Sequence, residues 1–142
     1  RAEIARLVER AFLTPQQGEA VDPAKIAAFF ASPLGRELIA STSLRREFKF
    51  SILVPAADYY PQAGAEEQGL LQGVVDCCFE TLEGITVVDF KTDRVDRRSV
   101  AARAEEYRPQ LAAYSRALEE ITGKPVIRRC LWFFALDQAV DV

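Results

Sequence analysis

Between Gly73 and Phe90 the chain carries two runs of apolar residues with almost no polar interruption. Val74, Val75, Cys77, Cys78 and Phe79 make up the first. Ile85, Val87, Val88 and Phe90, together with Thr86, make up the second. Both runs are rich in β-branched or aromatic residues, which predicts two strands. Leu82-Glu83-Gly84 predicts the hairpin turn between them, with the glycine free to take positive φ. Runs this continuous predict a sheet buried on both faces. Between Ser43 and Val54 the period differs: Phe48, Phe50, Ile52 and Val54 alternate with Glu47, Lys49 and Ser51. That is a strand with one buried face. Val126 to Ala135, ending in Trp132-Phe133-Phe134, predicts a last strand beside the hairpin.

Helical periodicity fills most of the remainder. Ile4, Leu7, Val8 and Ala11 recur at helical spacing over residues 2–12. Thr14-Pro15-Gln16-Gln17, Asp22-Pro23 and Ser32-Pro33 each join a capping side chain to a proline at the first helical position. The first fifty residues are therefore expected to be short helices packed through Ile26, Phe29, Phe30, Leu34, Leu38 and Ile39. Pro55 to Gly69 reads as a loop by composition. Ser99 is a candidate cap for a helix running to Gly123, with Pro109 expected to kink or divide it. Leu111, Tyr114, Leu118 and Ile121 form its apolar stripe. The order of helices, three strands, helix and strand predicts an α/β sandwich around a mixed sheet.

Composition narrows the class. With 142 residues, 49% of them apolar, the chain suits one globular domain. No apolar run is long enough to span a membrane. A net charge of −3 creates no global attraction for nucleic acid, so any DNA contact must use a local patch. Cys77, Cys78 and Cys130 have no Cys-x-x-Cys spacing, and there is no histidine, which argues against a zinc site or a cysteine-ligated cluster. Adjacent strand residues point to opposite faces, so Cys77 and Cys78 read as core rather than as a disulfide. Reduced cysteines fit a cytoplasmic setting. The start at Arg1 and the lack of methionine lead us to expect a piece of a longer chain.

The charged residues that interrupt the hairpin are Asp76, Asp89 and Lys91. Asp89 and Lys91 are two apart and share a strand face. An even-numbered turn would place Asp76 opposite one of them on that face. Two carboxylates gathered on an apolar sheet repel unless a cation lies between them. Hard oxygen donors suit Mg²⁺, or Mn²⁺ in its place, and the neighbouring lysine can steady charge developing on a phosphate. The plainer reading is a surface Asp–Lys pair on the solvent side of the hairpin. Glu47 has two readings as well: facing the same cleft as Asp76, or meeting solvent.

Gly73-x-x-Asp76, then Asp89-Phe90-Lys91 after a hairpin, then Gln110-x-x-x-Tyr114 on the next helix resembles the RecB-like branch of the PD-(D/E)XK nucleases. Ile26 to Gly35, Arg46 to Ser51, Asp89 to Asp93 and Tyr107 to Tyr114 extend the resemblance over most of the chain, to the C-terminal nuclease domain of the AddA family of helicase–nuclease subunits. The resemblance implies a restriction-endonuclease-like core, a mixed β-sheet flanked by helices. It also implies Mg²⁺-dependent exonuclease cleavage of DNA unwound by the same enzyme during double-strand break processing. ATP would serve only the helicase domains N-terminal to this one in the same chain, and AddB would be the partner in the heterodimer.

Carried over residue by residue, Asp76 and Asp89 become metal ligands, with the backbone carbonyl of Phe90 as a third, and Lys91 becomes the catalytic lysine. Gln110 and Tyr114 match the family's last motif, on a helix lying against the catalytic strands and the DNA; Tyr114 reads equally as core. Arg94, Arg97, Arg98 and Arg103 are candidates for phosphate contacts, or for a solvated charged face. One departure stands out. The family's upstream helix supplies a histidine ligand, and with no histidine here that first core helix is expected to lie before Arg1. Two alternatives accompany this reading: a nuclease-fold module that binds DNA without cutting, and a different RecB-like exonuclease.

Overall fold

In the computed structural model, which describes residues 1–142, five strands form one sheet in the order β1-β2-β3-β4-β5. These are β1 (Arg45–Pro55), β2 (Gln68–Glu80), β3 (Ile85–Lys91), β4 (Val126–Phe133) and β5 (Gln138–Asp141). All neighbours run antiparallel except β3 and β4, which are parallel and joined by the long helix α5 (Val100–Thr122). A parallel pair cannot be closed by a tight turn, so the helix must cross over the sheet, and it covers one face. The expected mixed sheet with flanking helices is the observed architecture.

Four short helices precede the sheet: α1 (Ala2–Glu9), α2 (Pro15–Ala20), α3 (Pro23–Ala31) and α4 (Pro33–Ala40). Their caps are those the sequence signals. Thr14 and Gln17 close a capping box, Asp22 accepts from the Ala24 N–H at 2.9 Å, and Ser32 accepts from the Gly35 N–H at 3.0 Å. On this side of the sheet Phe29, Leu34 and Leu38 pack on Cys77, Phe79, Val88, Cys130 and Trp132. Ile26, Phe30 and Ile39, expected in the same core, are instead exposed and line a shallow apolar groove with Phe90 and Phe134. Helical period alone identifies an apolar stripe; the width of the sheet decides how much of it is covered.

On the other face Leu111, Tyr114, Ala117 and Leu118 of α5 pack on Phe50, Val75, Val87, Leu131 and Phe133. Pro109 neither breaks nor divides α5, which runs as one 23-residue helix to Gly123 in the left-handed conformation, φ 68°. One lost backbone hydrogen bond is outweighed by the apolar face on either side of it. Ser99 is not the side-chain cap. The Asp96 carboxylate accepts from the Arg98 and Ser99 N–H groups and from the Ser99 hydroxyl. Two further differences concern the sheet: β2 begins at Gln68, inside the expected loop, and β5 adds a hairpin after β4. Leu70, on the early part of β2, is exposed, so that segment carries little burial signal. The hairpin turn lies where expected, with Thr81 N–H donating to Gly84 O at 2.8 Å and Gly84 at φ 155°. All three cysteines are buried and unpaired. No helix is long and apolar enough to cross a membrane.

Candidate active site

The β2–β3 ladder runs from the Glu80–Ile85 pair to Cys77–Val88 and stops there. The next residues in register are Asp76 and Asp89. In place of another ladder bond, the Phe90 N–H donates to Asp76 Oδ2 at 2.9 Å. A strand residue's N–H and C=O point to the same side. The Phe90 carbonyl is therefore directed into the same gap beside Asp76.

Side-chain alternation along β2 changes phase at this point. Val75 and Cys78 belong to the α5-side core, whereas Cys77 and Phe79 belong to the opposite one. The facing strand is irregular too: between its Arg46–Cys77 and Phe48–Val75 pairs, Glu47 takes φ 51°. A left-handed glutamate is costly, and such departures gather where a side chain must be re-aimed. Glu47 is exposed yet lines a cleft of about 670 Å³ with Arg46, Asp76, Cys77 and Phe90. Of its two readings, cleft and solvent, both hold, because the cleft is open.

Asp89 lies on the α5 side, only 3% exposed. Burial lifts its carboxyl above the ordinary carboxylate range. Lys91 pulls it back, and the nearby Asp76 charge pushes it up again. Its Oδ2 is 2.5 Å from Lys91 Nζ but has no hydrogen-bond donor aligned on it. A buried carboxylate oxygen in that state has coordinating capacity to spare. Asp76, Asp89 and the Phe90 carbonyl thus form a set of hard oxygen donors that fits a divalent cation. Only two side-chain carboxylates take part, since nowhere do three or more His, Cys, Asp or Glu side chains cluster, so a carbonyl and waters would supply the remaining positions. The Cys77 side chain belongs to the opposite core, and burial, then the Asp76 charge, push its thiol up to about 11.

Lys91 is held on three sides. Besides Asp89, its Nζ donates to Gln110 Oε1 at 2.9 Å and sits 3.7 Å from the centre of the Tyr107 ring. Gln110 and Tyr114 lie one turn apart on α5, as their spacing predicts. The Tyr114 ring is core, packed edge-to-face on Phe50 at 5.9 Å. Burial, then the charges of Asp89 and Asp76, raise its phenol. The core reading of Tyr114 is the one its packing shows. Gly73 makes that packing possible, since a Cβ there would come within 2.9 Å of Phe50 and 3.4 Å of Tyr114.

The arginines divide. Arg94, Arg97 and Arg98 are exposed with no ion pair. Arg103 is committed, its Nε donating to Asp93 Oδ1 at 2.7 Å and its Nη1 to Glu106. Sequence reasoning gave no separate role to Tyr107, although it precedes Gln110 by three residues and Tyr114 by seven, which puts all three on one helix face. An aromatic residue at helical spacing reads first as core, and only the lysine against its ring marks it out.

The chain is similar to known proteins along almost its whole length. A family model described as the PD-(D/E)XK nuclease superfamily matches residues 1–140. The chain is 44% identical over 137 residues to a subunit of the ATP-dependent helicase/nuclease of Acetivibrio thermocellus, covering 94% of this chain and 11% of that protein. The protein of the same name from Desulforudis audaxviator is 42% identical over 134 residues, 93% of this chain and 11% of its own length. That from Geobacillus kaustophilus is 41% identical over 143 residues, 94% of this chain and 12% of its own. The chain therefore spans about a ninth of the length of the relatives it matches.

Proposed function

The chain belongs to the PD-(D/E)XK nuclease superfamily, and its relatives are ATP-dependent helicase/nuclease subunits; from this we propose that it is the Mg²⁺-dependent DNA exonuclease module of a cytoplasmic AddA-type enzyme. In this reading the helicase domains of the same polypeptide, driven by ATP, deliver strands to it during double-strand break processing, with AddB as the partner in the heterodimer. The observation that carries the proposal is the convergence of Asp76, Asp89 and Lys91 where β2 and β3 part, with a buried carboxylate oxygen left without a hydrogen-bond donor.

Asp76, Asp89 and the Phe90 carbonyl would hold the cation, Mg²⁺ or Mn²⁺. When bound, it supplies positive charge to the scissile phosphate and lowers the cost of deprotonating a water. Asp89 and Gln110 aim the Lys91 ammonium at the oxygens of the phosphate, where negative charge grows as water adds to phosphorus and the bond to the leaving oxygen breaks. Asp76 keeps the end of β3 in place through the Phe90 N–H. Tyr114 closes the floor of the site, and its buried ring excludes water from the Asp89 side. Arg94, Arg97 and Arg98, unpaired and on the connection to α5, are suited to the phosphates on either side of the cut.

The test is Asp89→Asn in the full polypeptide. An amide is a poor ligand for a hard cation, so strand cleavage should vanish while ATPase activity and circular dichroism stay unchanged. Cleavage near the parental rate would refute the assignment.

A further inference from the structure

We propose that Tyr107 is a positioning residue for Lys91, its ring carrying the ammonium while its hydroxyl, clamped between Asp93 and Arg103, keeps the ring in place. The inference rests on the nuclease reading of the site and adds to it a residue that never touches the substrate.

Lysine has a long flexible stem, and a catalytic ammonium on such a stem must be confined to act on one phosphate oxygen. Gln110 takes one of the three N–H groups, and the Asp89 carboxylate pairs with the ammonium by charge at 2.5 Å without an aligned hydrogen bond. A further hydrogen-bond acceptor in place of the ring would use up another. The Tyr107 face, 3.7 Å from Nζ, attracts the charge without an acceptor lone pair, so one N–H stays available to an incoming phosphate. The ring is itself held. Its hydroxyl donates to Asp93 at 3.0 Å and accepts from Arg103 Nη2 at 3.1 Å, while Arg103 Nε donates to Asp93 at 2.7 Å. Asp93 leaves β3 two residues after Lys91, and Arg103 and Tyr107 lie on α5. The clamp therefore ties the exit of the catalytic strand to the helix that supplies Gln110. With only 12% of its side chain exposed, Lys91 has little freedom outside this cage.

A merely structural tyrosine would stabilise α5 without reference to Lys91, and a double-mutant cycle separates the two roles. In the full helicase–nuclease polypeptide, single-turnover cleavage is measured for Tyr107→Leu, Tyr107→Phe, Lys91→Ala and Lys91→Ala/Tyr107→Leu, with ATPase activity and DNA affinity as controls. Tyr107→Leu should slow cleavage by about two- to thirty-fold, the range of a cation–aromatic contact, with DNA affinity unchanged. Tyr107→Phe, which keeps the ring, should recover most of that loss. On the Lys91→Ala background Tyr107→Leu should add less than about twofold, because its target has gone. Amine acylation read by mass spectrometry gives a second measure: Lys91 labelling should rise most in Tyr107→Leu and by less in Tyr107→Phe, which keeps the ring but loses its clamp, against Lys49 and Lys124 as internal references. An equal loss in both backgrounds, or unchanged Lys91 labelling in Tyr107→Leu, overturns the proposal; where residual cleavage is too slow to read, labelling alone decides. Lys91→Ala cutting at the parental rate would instead overturn the nuclease reading itself.

Discussion

Two glycines on β2, four residues apart, should respond to alanine with opposite signs. At Gly69 an added Cβ meets nothing nearer than Ala56 Cα at 3.9 Å, an ordinary contact. At Gly73 it would lie 2.9 Å from Phe50 Cζ, 3.1 Å from Phe50 Cε1 and 3.4 Å from Tyr114 Cε1. Carbon atoms settle at about 3.5–4.0 Å, so the Phe50 ring must retreat by roughly half an ångström. It has nowhere to go, being 6% exposed and wedged edge-to-face against Tyr114. Replacing a strand glycine narrows the unfolded ensemble and gains about 0.4–1 kcal/mol where the space is free. Overpacking a core costs about 1–3 kcal/mol. Gly69→Ala should therefore stabilise by a few tenths to 1 kcal/mol, and Gly73→Ala should destabilise by about 1–2 kcal/mol. The assay is urea unfolding of residues 1–142, followed by the fluorescence of Trp132, the one tryptophan. With a slope of about 1–3 kcal/mol per molar urea, the Gly73→Ala midpoint should fall by roughly 0.5–1 M and the Gly69→Ala midpoint should rise slightly. A Gly73→Ala midpoint at or above that of Gly69→Ala would show that the Phe50–Tyr114 contact over Gly73 is not tight.

Lys91→Ala should leave Mn²⁺ binding intact and slow single-turnover cleavage by on the order of 10²-fold or more; recovery of the rate by added metal alone would assign Lys91 to the metal instead. Residues 1–142 alone should fold but bind Mn²⁺ no tighter than about 1 mM, since two carboxylates and a carbonyl leave roughly half of six coordination positions to water; isothermal titration giving micromolar affinity, with efficient cutting of single-stranded DNA, would mean that Glu47 or another group completes the site. Asp93 is the acid-sensitive member of the clamp. Burial pushes its carboxyl up, but the hydrogen bonds from Arg103 and Tyr107 outweigh this and hold it below the ordinary value. Its stabilising effect is thus complete above the unfolded-state value near pH 4 and is lost as pH falls through the lower folded value. The drop in Tm between pH 6 and pH 3 should be larger for the parent than for Asp93→Asn; equal drops would refute the clamp.

Most of the sheet and the three helix caps were legible in the sequence, because local chemistry specifies them. Alternation marked β1, unbroken β-branched runs marked β3 as buried on both faces, and cap-plus-proline pairs marked the starts of α2, α3 and α4. Spacing also placed Asp89 with Lys91, and Gln110 with Tyr114, since strand and helix periods are fixed. Pro109 does not divide α5, because its cost is local, whereas the apolar face that keeps the helix whole is spread over 23 residues. Which apolar residues of α3 and α4 reach the core, and which line a groove, depended on how far the sheet extends beneath them. The change of phase at Asp76, the left-handed Glu47 and the end of the β2–β3 ladder carry no sequence signal, yet they decide where the carboxylates point. Register between strands is set by contacts between residues far apart in the chain, and only the assembled tertiary structure could place the Tyr107 ring against the Lys91 ammonium.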